Sequence, residues 1–235
     1  MDYDLVFSKR AAQYNYATKT YPHVLVNELR TAAEMVDAEK GTYVVNVPGA
    51  CVDISPYLHP EVTYKPYETN ATFAKIASVA HSVFGIIPER DGSVDKVVSL
   101  ASLHHATDVE RAVFYKEALR VLKPGGTMII GDVIAGSAQD SWLNTFVNRY
   151  NGHDGKFWSS ADTAIMDGFT VEVSVKSYRW NFNSMVEMVD FCRNLFGLDS
   201  ASDKDIVDGL EHYLKADSTG FDWSLMYFIA TKGTN

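Results

Sequence analysis

The segment from Asp95 to Asp132 constrains this chain more than any other, because it holds two buried strands and the helix between them in one unbroken run. Asp95-Lys96-Val97-Val98-Ser99-Leu100 is a short apolar run opened by charge, which reads as a buried strand. The polar elbow Ala101-Ser102-Leu103-His104-His105-Ala106 follows, with two adjacent imidazoles. Thr107 with Glu110 three residues on is a capping box, and Ala112, Val113, Leu119, Val121 and Leu122 then recur at helical intervals. Lys123-Pro124-Gly125-Gly126 stops that helix by removing an amide donor and supplying left-handed backbone. Thr127-Met128-Ile129-Ile130-Gly131 returns as a strand, so the segment is one crossover of a parallel sheet and the fold class is α/β.

The charge balance narrows the ligand. With 30 acidic against 21 basic residues the formal charge is −9, and no Lys/Arg cluster offers the basic surface that phosphate neutralisation needs. Nucleic acid is therefore not expected as a partner, and a small-molecule substrate is. No run approaches the ~20 apolar residues of a membrane span, and the opening Met-Asp-Tyr-Asp has the wrong sign for a secretory signal, so a cytoplasmic protein without a membrane partner is expected. The two cysteines, Cys51 and Cys192, suggest neither a disulfide framework nor a zinc cluster. His153 and His212 carry no ligand spacing, and no metal is expected from them. The oligomeric state is not legible.

Asp91-Gly92-Ser93-Val94-Asp95-Lys96-Val97-Val98-Ser99, Leu103-His104-His105-Ala106-Thr107-Asp108 and Glu117-Ala118-Leu119-Arg120-Val121-Leu122-Lys123-Pro124-Gly125-Gly126 together resemble the fourth- and fifth-strand region of the class I S-adenosylmethionine-dependent methyltransferases. Phe7-Ser8-Lys9-Arg10-Ala11-Ala12-Gln13-Tyr14 is similar to the amino-terminal cap of the small-molecule branch of that family. The resemblance implies a Rossmann-like, mostly parallel seven-stranded sheet, an antiparallel last strand beside the fifth, and a helical lid. It implies one cofactor-binding α/β domain over 1–235, with cap helices in 1–40 and a substrate region in 135–215. The implied cofactor is S-adenosyl-L-methionine.

The remaining elements follow from pattern. Pro22 opens a helix through about Ala38, with Val24, Leu25, Leu29, Ala32, Ala33 and Val36 on one face, and Gly41 ends it. Thr42 to Val47 reads as the first strand. The loop after it, Asn46-Val47-Pro48-Gly49-Ala50-Cys51-Val52-Asp53, departs from the family's acidic residue and three spaced glycines. Asn46 stands where an acid is usual, Pro48 offers no amide hydrogen, and Gly49 alone remains in a comparable place. Pro56 and Pro60 leave little room for a helix, so the first crossover is truncated. Val62 to Lys65 is then the second strand, with Glu68 near its end as the acid for the ribose hydroxyls. In a rival alignment Val52 to Pro56 ends the second strand, Asp53 takes that role, and Glu61 to Tyr67 becomes the third strand. Glu68 is preferred. Thr72 to Phe84 reads as a helix under either alignment. Later, Ile134 to Tyr150 reads as helix after a Gly136-Ser137 break, Thr170 to Trp180 as strand, Asn183 to Phe196 and Ser202 to Leu214 as two lid helices, and Asp222 to Lys232 as the last strand.

From these placements come the candidate site residues. The resemblance puts Ser99, Leu100, Ala101 and Ser102 along the methionine arm of the cofactor. His105 and His104 are candidate bases or packing groups. Tyr14, Tyr16 and Tyr21 are candidates to close on a cationic sulfonium, with Tyr14 in the catalytic set and Tyr21 in the cofactor set. Asp132, Tyr178 and Trp180 are expected on the substrate side, whereas Cys51 reads as simply small and buried. The leading expectation is methyl transfer to a small molecule. The altered loop motivates a second, a cyclase or lyase that consumes the cofactor and releases methylthioadenosine, as in azetidine-2-carboxylate formation. A non-catalytic descendant of the fold is the third.

Overall fold

In the computed structural model, which describes residues 3–50 and 52–234, the chain order is α1 (Tyr3–Thr20), α2 (Val26–Val36), β1 (Tyr43–Asn46), β2 (Thr63–Glu68), α3 (Ala71–Ala77), β3 (Ala80–His81), β4 (Val94–Leu100), α4 (Asp108–Val121), β5 (Leu122–Asp132), α5 (Ala138–Ser141), α6 (Asn148–Asn151), β6 (Phe169–Asn181), α7 (Met185–Phe196), α8 (Asp203–Leu214) and β7 (Gly220–Lys232). A π-helical stretch, Trp142–Val147, joins α5 to α6. Cys51 lies outside the described residues.

The seven strands run in the order β3-β2-β1-β4-β5-β7-β6. Pairing is parallel from β3 through β5, and β7 is inserted antiparallel between β5 and β6. Alternation along each strand divides the core between two faces. Val44, Val98, Ile129 and Tyr227 pack on one side with α2, the Trp142–Val147 stretch and α7. Val45, Val97, Met128, Ile130 and Phe228 pack on the other with Phe114, Ala118 and Val121 of α4.

The second crossover forms as its local signals require. Thr107 Oγ1 accepts from the Glu110 amide and the Glu110 carboxylate accepts from the Thr107 amide, which closes the capping box. The Pro-Gly-Gly segment is a bulge at the start of β5. Val94 pairs with Leu122 and Lys96 with Thr127, so Lys123 to Gly126 loop out, with Gly125 at φ +76.

Three expectations need correction. The Pro22 helix begins only at Val26 and ends before Gly41, because Asp37 takes the left-handed conformation at φ 47 and closes it. Val52 to Pro56 is not a strand. It leads into a single 3-10 turn, Ser55–Tyr57, while Thr63–Glu68 pairs in register with β1, so Glu68 ends the second strand and the rival alignment falls. The helix expected through Phe84 stops at Ala77, where Ser78 is left-handed at φ 58. Ala80 and His81 then pair with Tyr67 and Glu68 as β3, satisfying backbone groups at the edge of β2 that a continued helix would leave unpaired.

Candidate active site at the carboxyl edge of the sheet

The carboxyl ends of β1, β2, β4 and β5 open into one cleft, part of it open to solvent, lined by residues of α1 and α2 and by the end of α7. That is where open α/β sheets take ligands. Of the residues expected at a site, Pro48, Glu68, Leu100, Ala101, Ser102, His104, His105, Tyr14 and Trp180 line it. Asn46, Gly49, Asp53, Ser99, Tyr21, Asp132 and Tyr178 lie outside that lining.

On the β1–β2 side the loop is held by backbone and amide contacts. Asn46 is buried, and its Nδ2 donates to the Val52 carbonyl at 3.0 Å and the Tyr64 hydroxyl at 2.8 Å, while Oδ1 has no partner among the described residues. Gly49 packs so tightly on Asn46 that a Cβ there would stand 2.8 Å from the Asn46 carbonyl oxygen. Glu68 is fully buried. Its Oε1 accepts from the Thr69 and Asn70 amides at 2.8 and 2.9 Å, and its Oε2 from the Ala50 amide at 3.2 Å, so one carboxylate ties the first loop to the start of α3. Asp53 is exposed and its Oδ1 accepts from the Ser55 amide in a local turn. Past β4, Ala101 sits at φ 46 and Ser102 Oγ donates to the Leu100 carbonyl at 2.7 Å. The Ser99 hydroxyl is buried without a partner among the described residues.

The elbow after β4 brings together what the sequence leaves apart. His104 Nδ1 lies 2.8 Å from Asp132 Oδ1, and the Asp132 carboxylate also accepts from the amides of His104 and Val133. Asp132 thus serves the imidazole rather than the cleft. His153, from the loop after α6, packs against both elbow histidines. Burial, and then the neighbouring His104, lowers the His105 pKa well below its ordinary range, and burial lowers that of His153 as well. Both rings are held neutral. The arrangement is braced by Arg111, which is fully buried, stacks 4.1 Å over the Trp158 ring, and donates to the carbonyls of Leu103 and Lys156.

Across the cleft the walls are aromatic. Trp180 and Trp223 stack at 4.6 Å, and Leu25 at the N-cap of α2 and Leu29 within it face the same space. Between those leucines stands Glu28, which the sequence reading missed. It is 8% exposed, accepts from Trp180 Nε1 at 2.9 Å, and burial raises its pKa to about 7 against the pull of the Trp180 N–H and the Tyr178 hydroxyl. An acid interrupting the apolar stripe of α2 was the available signal. Tyr14 joins Phe7 and Phe73 in an edge-to-face cluster beside Pro48 and Ala50 in the cleft lining. Tyr16 and Tyr21 do not reach the cleft; both hydroxyls donate to Asp190 and fasten the end of α1 to α7.

Comparison with known proteins agrees with this geometry. Residues 45–130 match the family model of the methyltransferase domain. A 61-residue stretch is 41% identical to the uncharacterised Escherichia coli (strain K12) protein YafE, spanning 25% of this chain and only 28% of that relative. An S-adenosylmethionine-dependent methyltransferase from Thermotoga maritima superposes with a TM-score of 0.63 at 16% identity, covering 98% of this chain and 99% of that one. Phosphoethanolamine N-methyltransferase 2 of Haemonchus contortus, solved with phosphomonomethylethanolamine and S-adenosylhomocysteine, superposes with a TM-score of 0.54 at 16% identity over 91% of this chain and 56% of that one. The fold is that of the class I, S-adenosylmethionine-dependent methyltransferases, and residues 45–130 are similar to their methyltransferase domain. The cofactor of that family is S-adenosylmethionine, and the cleft lining is compatible with it: the buried acid that ends β2 and the β4 elbow both line it.

Proposed function

We propose that this chain is an S-adenosylmethionine-dependent methyltransferase acting on a small molecule. The observation that carries the reading is the division of one cleft into a polar half around Glu68 and the β4 elbow, and an aromatic half around Glu28, Trp180 and Trp223. When bound, S-adenosylmethionine supplies a methyl group already activated by its sulfonium. What remains for the protein is alignment and exclusion of water.

In this reading Glu68 and the loop it organises, with Asn46 and Gly49 behind it, hold the ribose. Leu100, Ala101 and Ser102 line the methionine arm. Tyr14 presents an aromatic face to the cationic centre, an attraction of ~1–2 kcal/mol once water is excluded. Trp180 and Trp223 hold the acceptor, and Glu28, titrating near neutrality, accepts its proton. Asp132 is a positioning residue for His104, and Tyr178 stands behind Glu28. The net charge of −9 favours an acceptor other than nucleic acid, and among the described residues no helix is long and apolar enough to cross a membrane.

The test is product identification with methyl-labelled S-adenosylmethionine, with and without a panel of small hydroxyl, thiol and amine acceptors. The expected result is S-adenosylhomocysteine formed in step with a labelled acceptor. Methylthioadenosine released without acceptor would replace this reading with the cofactor-consuming cyclase, and no calorimetric binding of S-adenosylhomocysteine would replace it with a non-catalytic fold.

A further inference from the structure

Three imidazoles meet where the elbow after β4 faces the loop after α6. The ring centroids of His104 and His105 are 4.1 Å apart, those of His104 and His153 5.5 Å, and those of His105 and His153 5.3 Å. One ring nitrogen of each lies within 4.8 Å of the other two, and all three residues line the cleft. An ion held tetrahedrally by three imidazoles at ~2.05 Å sets the ligand nitrogens ~3.4 Å apart and the ring centroids ~5 Å apart. His153 already stands at that spacing from both elbow rings, while His104 and His105 are closer to each other, at 4.1 Å. Rotation about their side-chain bonds is the movement left to bring the nitrogens together.

The outer contacts fix the tautomers in the sense a metal requires. Asp132 can only accept when ionised, so His104 Nδ1 carries the hydrogen and Nε2 keeps its lone pair. Asn144 Nδ2 donates to the Gly155 carbonyl and its Oδ1 accepts from the Gly155 amide, which fixes the amide orientation; His153 Nδ1, 3.2 Å from that oxygen, is then also a donor. Ligating histidines are held in this way, one ring nitrogen on a carboxylate or amide oxygen and the other on the ion. The loop is pinned as well, since the Lys156 amide donates to the His104 carbonyl at 2.8 Å and Arg111 bridges the carbonyls of Leu103 and Lys156.

We infer that His104, His105 and His153 form a three-histidine site for a divalent transition-metal ion, with zinc the best match to an all-nitrogen donor set and the fourth position open to the cleft. Three neutral imidazoles bring no charge to the ion; Asp132 behind His104 offsets part of it, and the cleft lining carries both Arg10 and the acids Glu28 and Glu68, so the first coordination shell itself keeps the full positive charge. The open position therefore selects an anionic donor: a thiolate, alkoxide or carboxylate on the acceptor. That last step rests on the methyl-transfer reading; metal binding does not.

The experiment uses the full chain stripped of metal by chelator and dialysis. Zinc chloride is titrated calorimetrically, and cobalt(II) is followed by visible absorption. One equivalent of zinc is expected to bind with a Kd below ~1 µM, and cobalt is expected to give the intense bands of tetrahedral coordination. His153→Gln and His105→Gln should each weaken zinc by ~100-fold or more, Asp132→Asn by ~10-fold or more, and His212→Gln, on α8, not at all. Circular dichroism verifies that each variant is folded; should one not fold, the wild-type cobalt spectrum decides. No tetrahedral cobalt band, or equal zinc affinity in His153→Gln and His212→Gln, would overturn the site. S-adenosylhomocysteine titrated into the same metal-free protein reports separately on the methyl-transfer reading.

Discussion

Two crossovers of the parallel part of this sheet, β1 to β2 and β4 to β5, are made in opposite ways. Between β4 and β5 the chain spends 14 residues on α4, capped at its start by Thr107 and Glu110. Between β1 and β2 it spends a single turn, Ser55–Tyr57, and the face such a helix would cover is taken by α2 from before the sheet. Ile54, Tyr57 and Leu58 pack into the same core as Ala32, Ala33 and Val36. The consequence is functional. None of α4 lines the cleft, whereas α2, drawn into the gap, brings Leu25, Glu28 and Leu29 to it. The crossover that follows local rules is scaffold, and the one that breaks them delivers an acid to the candidate site.

Removing Arg111 should separate these roles with the largest effect. Arg111→Leu leaves the carbonyls of Leu103 and Lys156 without their donor and removes the guanidinium from the Trp158 face. A loss of about 4 kcal/mol in urea unfolding is expected; a loss under about 1 kcal/mol would mean that α4 does not brace the elbow.

Glu28 gives the complementary test on α2. Its pKa in the fold is about 7 against 4.5 for an unhindered glutamate, so the folded protein keeps a proton that the unfolded chain has already lost. Stability therefore falls as pH rises from about 4.5 to about 7, by ~3 kcal/mol from this group. Glu28→Gln should remove that slope, matching wild type near pH 4.5 and exceeding its stability at pH 8. Its methyl-transfer rate should fall ~100-fold. Parallel unfolding curves for the two proteins across this range would mean that Glu28 is not buried as an acid.

The same contrast explains what could be read in advance. Every signal of the second crossover is local: Thr107 with Glu110, the apolar stripe, and Pro124-Gly125-Gly126 all act within a few residues. Glu28 interrupts the apolar stripe of α2, but what buries it, Trp180, is 152 positions away across the sheet and leaves no local signal. His153 seemed partnerless for the same reason, since only folding places its loop against the elbow. β3 escaped notice because two residues carry no period, and Ala80 and Phe84 fit a helical stripe equally well. Glu68 over Asp53 could be preferred but not decided from pattern; pairing register decides which of them ends the strand.

That pair supplies a smaller effect. Glu68→Gln replaces a carboxylate that organises the amides of Ala50, Thr69 and Asn70, and is expected to weaken S-adenosylhomocysteine about 10-fold in calorimetry, roughly one charge-assisted hydrogen bond. Asp53→Asn, in its exposed turn, should leave the affinity unchanged. The reverse result would return the ribose to Asp53 and detach β2 from the cofactor.

The smallest effect lies in the caps themselves. Thr107→Ala removes the acceptor for the Glu110 amide and the hydroxyl that donates to the Glu110 carboxylate at 2.8 Å, and should cost about 1 kcal/mol of unfolding free energy. The first residue of α2 has no such device: Leu25 stands at its N-cap with no side-chain hydrogen bond, so that helix is positioned by what it packs against. If α4 is fixed locally and α2 by tertiary contact, Thr107→Ala should lower the unfolding midpoint while leaving the pH slope from Glu28 intact. A cap substitution that also erased that slope would show that the two crossovers are one mechanical unit, with the ordered helix holding the borrowed one in place.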